Sequence, residues 1–286
     1  MKNMKYLFLF LILFTILIFI LFIIFHLVFN KDIIASKFKN YDLKKDGLIV
    51  IKNVLNSKEI NYLKNYCKNE KYKDVKEYLL KNDNLEKIIK RETGNEYVFQ
   101  DYILVIKKSA VHTCHRDYNG DFFNESQRYK SYTMLVYLED MEKCLGVVPT
   151  SHKDINSFHF NFVDPVVNVV CNKGDVILFD ANLIHVGALN TKHDNLRIQL
   201  KITHKDDLNS LSYYENYNKV LNEDNNLPLF IRKSQRKLTC LFPAIADWTQ
   251  NDNINATKKE ENSILQNWFS YFFYGNTNFY NLKNVF

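Results

Sequence analysis

Two histidines, a carboxylate and an arginine carry the chemistry this chain could perform: His115 and Asp117 in HTCHRDYNG, His185 in FDANLIHVGALN, and Arg197 in NLRIQL. On a strand, residues two apart project to the same side, so His115 and Asp117 can reach one ion together. Two imidazoles and one carboxylate form the ligand set that holds non-heme ferrous iron on one face and leaves the opposite positions open. His185 follows KGDVILFDANLI, a strand whose end would reach the mouth of a barrel, where ligands converge. Arg197 lies 12 residues further on, in the alternating LRIQLKIT. There it shares a face with Gln199, while Leu196, Ile198 and Leu200 share the other. An arginine turned inward needs an anionic partner, and its planar fork of donors suits a carboxylate. A cation so placed could hold the remote carboxylate of an organic acid lying on the metal. His112 competes with His115 as a ligand but lacks a carboxylate two residues on, which favours a core or surface role.

The elements that must position these residues are legible in outline. Leu48 to Ile51 is a short apolar, β-branched run and reads as a strand. Asn56 followed by Glu59 resembles a capping box, and Ile60, Leu63 and Cys67 mark one face of the helix it would start. A second amphipathic helix is expected through Val75 to Ile89, with Tyr78, Leu79, Leu85, Ile88 and Ile89 inward. From Tyr97 the period becomes that of strands: Tyr97–Lys107, Ser131–Leu138, Val147–Pro149, Asn168–Val170, Val176–Asp180 and Leu196–Thr203. The turns DYNGD, NKGD and NTKHDN separate them. Helices followed by many short strands predict a mainly β fold with flanking helices, an antiparallel double-sheet barrel or jelly roll.

Composition bounds the rest. Tyr6 to Phe29 is almost wholly Leu, Ile, Phe and Val, and as a helix it would rise roughly 36 Å, against a hydrocarbon core of about 30 Å. The run exceeds the apolar segment of a signal peptide, so the expectation is a single uncleaved transmembrane helix over residues 1–30. Lysines after the span outnumber those before it, which leans a single-pass protein towards a cytosolic C-terminal domain. The net charge of +6 is spread along the chain, and no basic block interleaved with aromatics marks a nucleic-acid face. Five scattered cysteines without C-x-x-C spacing argue against a disulfide scaffold or structural zinc, and Cys114 reads as core. The sequons at Asn124 and Asn255 carry little weight in so Asn-rich a chain. The expected organisation is an anchor (1–30), a linker (31–46), a catalytic barrel (47–205) and an Asn- and aromatic-rich extension packing on it (206–286).

Across roughly residues 46–204 the chain resembles the phytanoyl-CoA dioxygenase family of iron(II)/2-oxoglutarate oxygenases. DGLIVIKNVLNSKEINYL looks like the family's opening strand and helix, and HRD stands where its His-x-Asp does. CLGVVPTSHK resembles a segment ending in Pro-Gly-Ser-His-Lys, with Thr150 in place of the glycine. KGDVILFDANLIHVGALN looks like the strand of the distal histidine, and Arg197 fits the 2-oxoglutarate-binding arginine. The resemblance implies a double-stranded β-helix (cupin-like), with Fe(II) on His115, Asp117 and His185. It also implies 2-oxoglutarate and O2 as co-substrates, with Arg197 on the far carboxylate. Succinate and carbon dioxide would be released and a C–H bond of a small-molecule or lipid substrate oxidised. Asp117 keeps the carboxylate that related halogenases lack, which favours hydroxylation. Gly187 stands where many relatives carry a hydroxyl assisting the arginine, and Thr150 must accept a turn glycine's bend. His152 is a candidate second-shell residue; Tyr102 and Tyr132 are candidate pocket residues, with core packing as the alternative. The readings set against an oxygenase are a catalytically inactive β-barrel acting as a tethered binding or assembly module, and a cupin-like metal enzyme using no oxoacid.

Overall fold

The computed structural model describes residues 2–29, 33–34, 40–108, 111–117, 128–141, 143–153, 166–189, 196–210, 221–222, 224–241, 243 and 264–276. The sequons at Asn124 and Asn255, the NTKHDN hairpin from Asn190 to Asn195 and the DYNGD turn beyond Asp117 lie outside the described residues.

The chain runs α1 (Lys2–Phe29), β1 (Ile33–Ile34), α2 (Leu43–Asp46), β2 (Leu48–Ile51), α3 (Ser57–Lys68), α4 (Tyr72–Leu80) and α5 (Asp83–Glu92). Seven strands follow: β3 (Tyr97–Ile106), β4 (Tyr132–Tyr137), β5 (Leu145–Val147), β6 (Val167–Val169), β7 (Val176–Asp180), β8 (His185–Gly187) and β9 (Arg197–His204). Two further helices, α6 (Leu229–Leu241) and α7 (Ile264–Tyr274), lie in the C-terminal extension. The larger sheet has the order β2-β7-β4-β9-β3 and is antiparallel throughout. The smaller has the order β1-β6-β5-β8, antiparallel except for the short β1–β6 pair.

Local chemistry accounts for the helices that brace the larger sheet. At α3 the Asn56 side chain accepts from the amides of Lys58 and Glu59, while Glu59 reaches back to the Asn56 amide, the reciprocal capping box its sequence suggests. The single helix expected from Val75 to Ile89 is two, because Asn82 caps α5 by accepting from Asn84 and Leu85. Ile60, Leu63, Val75, Leu79, Leu85 and Ile89 from these helices meet Met134, Val136, Ile198, Leu200 and Ile202 from one face of the larger sheet. A second apolar layer lies between the sheets, where Leu48, Leu135, Ile177 and Phe179 face Leu145, Val147 and Val169. A third joins Val148, Val166 and Val186 of the smaller sheet's side to Cys240 of α6.

Three expectations are corrected. The fold is mixed α/β, about 44% helical and 23% strand, rather than mainly β with flanking helices, because α1, α3–α5 and the helices of the extension outweigh the nine strands among the described residues. Among the described residues no helix is long and apolar enough to cross a membrane. The expected transmembrane anchor, and the single-pass localisation built on it, are therefore overturned. Cys114 is buried as expected, but it is bonded to Cys240 of α6 across 126 residues, with a Cα–Cα separation of 4.9 Å.

Candidate metal centre

His115 and His185 face each other across a single antiparallel bridge in which each backbone amide donates to the other's carbonyl, at 3.0 and 2.9 Å. Two residues on, the Asp117 amide donates to the Ala181 carbonyl at 2.8 Å, which turns the carboxylate to the same side as His115. Each imidazole is oriented in the same way: Nδ1 lies 2.9 Å from the carbonyl two residues earlier, Thr113 for His115 and Leu183 for His185. A ring nitrogen facing a carbonyl carries the proton, so Nε2 is the atom each ring turns inward. Those two Nε2 atoms stand 3.5 and 3.6 Å from one atom, Asp117 Oδ1. The ligand-type atoms of all three residues lie within 4.8 Å of one another.

The other carboxylate oxygen is held elsewhere. Lys201 Nζ and Thr133 Oγ1 both donate to Asp117 Oδ2, the latter at 3.0 Å, and Lys201 also donates to Thr133 at 2.9 Å. Burial alone would raise the Asp117 pKa; Lys201, then the two imidazoles, hold it well below the usual carboxylate range. Burial takes His185 the other way, down to about 4, so it is neutral near pH 7. Inward-turned imidazole nitrogens converging with an ionised carboxylate oxygen fit a divalent cation, and they suit iron as well as other ions that accept nitrogen and oxygen.

The triad lines a cavity of about 70 Å³, room for an ion and a few water-sized ligands. Arg197, Gln199 and Gly187 line it too, with an apolar wall that includes Leu104, Ile106, Leu135, Leu145 and Phe179. Arg197 is buried, and that burial lowers its pKa against the opposing influence of Tyr137 and Cys144. A Cβ built on Gly187 would stand 3.5 Å from an Arg197 guanidinium nitrogen and 3.3 Å from the Val111 carbonyl. A hydroxyl side chain there would thus reach the arginine only through a tight fit.

The remaining candidates are placed as follows. His152 sits under the α2–β2 junction, its Nε2 3.1 Å from the Lys44 carbonyl, where it packs against Gly47 rather than lining the cavity. Tyr132 packs on the helical side of the larger sheet, edge-on to Tyr97. Tyr102 is buried on β3 and is not among the cavity's lining residues. Thr150 adopts φ 71°, the left-handed bend that the resemblance implies by its turn glycine, which is costly for a β-branched residue. His112 is fully buried, with Nε2 2.9 Å from Gln235 and Nδ1 accepting from Asn225, both in the extension. The same extension holds the ligand-bearing segment at Thr113, through Tyr274, and at Cys114, whose amide donates to Thr239. Leu221 adds to the cavity wall. Lys201, Thr133 and these extension contacts were not singled out from sequence. Alternation of Arg197, Gln199 and Lys201 along one strand face was the signal available for Lys201.

A His-Asp-His cluster beside a buried arginine, between two sheets, is an arrangement that can hold a divalent cation with an anionic ligand next to it. The family model for phytanoyl-CoA dioxygenase (PhyH) matches residues 66–197, so that segment of the chain is similar to this family of oxygenase enzymes, whose cofactors are iron and 2-oxoglutarate. No curated protein matches the chain. Among solved structures it is similar to the non-heme alpha ketoglutarate dependent carbocyclase SnoK from nogalamycin biosynthesis, at 17% identity, TM-score 0.48, covering 57% of this chain and 81% of that one. It is also similar to the epimerase SnoN in complex with Fe3+, alpha ketoglutarate and nogalamycin RO, at 17% identity and TM-score 0.49, covering 57% and 80%. HygX from Streptomyces hygroscopicus, with nickel and 2-oxoglutarate bound, is similar at 17% identity and TM-score 0.46, covering 60% and 93%.

Proposed function

We propose that His115 Nε2, Asp117 Oδ1 and His185 Nε2 hold Fe(II), that Arg197 holds the far carboxylate of 2-oxoglutarate, and that the enzyme hydroxylates a C–H bond of a small organic molecule. The observation that carries this reading is the convergence of both Nε2 atoms on one carboxylate oxygen beside a buried guanidinium. When bound, the iron supplies oxygen activation coupled to decarboxylation of the oxoacid, with release of succinate and carbon dioxide. The chain's own residues do the positioning. The Thr113 and Leu183 carbonyls fix both imidazoles with the proton on Nδ1, so neither ring must rotate or lose a proton to accept the ion. Arg197 offers two parallel donors to a carboxylate, which orients the oxoacid and neutralises it. The apolar wall excludes water from the reacting centre and favours an apolar C–H bond next to it. Because Asp117 completes a three-residue ligand set, the reading favours hydroxylation over halogenation.

The test is the formation of succinate from 2-oxoglutarate by the purified full chain with and without ferrous iron. Iron-dependent turnover that disappears in His185→Ala is the expected result. Turnover retained by that variant, or absent from the parent protein with iron supplied, contradicts the reading.

A further inference from the structure

We propose that Lys201 is a positioning residue for the metal centre: by holding the outer oxygen of Asp117 it limits that carboxylate to one metal ligand atom and so keeps positions open for the co-substrates. The inference rests on the metal-site reading above. Arg197, Gln199 and Lys201 occupy alternate positions of β9; the first two line the cavity and Lys201 reaches Asp117. Lys201 pairs with Thr133 in the β4–β9 register, which places both donors against the same carboxylate. Its side chain and that of Asp117 are each only 2% exposed.

Burying a lysine costs enough that an apolar side chain of similar length would serve the core better if packing were all that mattered. What the lysine adds is directional. Asp117 Oδ1 lies near-equidistant from the two imidazole nitrogens, while Oδ2 carries two donors from the opposite side. A carboxylate so divided cannot chelate an ion through both oxygens without losing both hydrogen bonds. A second consequence is electrostatic: a fixed cation on the ligand's far oxygen withdraws charge from it, so the centre holds a divalent ion less tightly than the same three residues would alone. Lys201 therefore exchanges metal affinity for an open coordination face.

The test compares the full chain with Lys201→Met, using Co(II) as a spectroscopic probe and 2-oxoglutarate as the second ligand. The variant should lose thermal stability without metal. It should bind Co(II) more tightly, by roughly tenfold, and show an altered Co(II) ligand-field absorption as Asp117 gains a second contact. The Co(II)-loaded variant should then bind 2-oxoglutarate at least roughly tenfold more weakly. A merely structural lysine predicts instead a Co(II) spectrum like the parent's with affinity unchanged or falling alongside stability, and either outcome overturns the proposal. Should Lys201→Met not fold, Thr133→Val removes one donor to Oδ2 and must shift the same measurements in the same direction by less; no shift overturns the proposal. Absence of a His185-dependent Co(II) spectrum in the parent protein would instead overturn the metal-site reading itself.

Discussion

Strand β9 separates two regions of opposite character with one backbone. Towards the helices it presents Ile198, Leu200 and Ile202, packed against α3–α5 and wholly buried. Towards the smaller sheet it presents Arg197, Gln199 and Lys201, two of them buried cations. The apolar face follows the expectation for a core strand; the polar face would be costly anywhere but at a site that supplies counter-charge. The difference teaches where stability and function reside: they are separated by the pleat of one strand, so single substitutions can address either alone.

The largest separation should come from Leu200→Ala. Truncating a fully buried leucine costs about 2–5 kcal/mol of unfolding free energy, measured by chemical denaturation, yet the parent's metal affinity should survive in the folded fraction. Arg197→Met inverts the pattern. Losing hydrogen bonds to a charged partner, each worth about 1.5–3 kcal/mol, should raise the 2-oxoglutarate requirement roughly ten- to a hundredfold, with metal binding in the absence of oxoacid unchanged. Equal loss of both functions would break the division.

Acid should weaken only the polar face. His185 has a pKa lowered from 6.5 to about 4, so between those values the unfolded chain binds a proton that the folded chain refuses. Metal-free stability should therefore fall as pH drops from about 6.5 to about 4, and His185→Gln should flatten that slope in a pH series of melting curves. The depressed Asp117 adds a loss that sets in only below the ordinary carboxylate range. Smallest is the effect of relieving backbone strain away from both faces: Thr150→Gly should stabilise by about 1 kcal/mol, since a left-handed bend costs a side-chain-bearing residue roughly 1–2 kcal/mol.

Sequence patterning reached local features and stopped at long-range ones. The Asn56 capping box and the strand period of β3, β4, β7 and β9 depend on residues close together in the chain, and their chemistry is written there, whereas the bend at Thr150 came from the family resemblance. The i, i+2 spacing of His115 and Asp117 likewise announced a shared face. Pairing of His185 with His115 required the barrel resemblance, because 70 residues separate them. Lys201 was visible as an alternating position but not as the partner of Asp117, 84 residues away. The Cys114–Cys240 bond and the clasp of α6 and α7 on the ligand-bearing segment had no local signal at all. The apolar N-terminal run misled for a related reason: its composition set a length from sequence alone, and the described helix does not supply a membrane-crossing span.

The account stands on the triad and Arg197 acting as one site. Anaerobic titration of the Fe(II)-loaded full chain with 2-oxoglutarate, followed by visible absorption, reads that directly, since an α-keto acid chelating ferrous iron gives a charge-transfer band. The expected result is a saturable band in the parent protein, absent in His185→Ala and requiring at least roughly tenfold more oxoacid in Arg197→Met. No band in the parent at saturating iron and 2-oxoglutarate, or an undiminished band in His185→Ala, would contradict it.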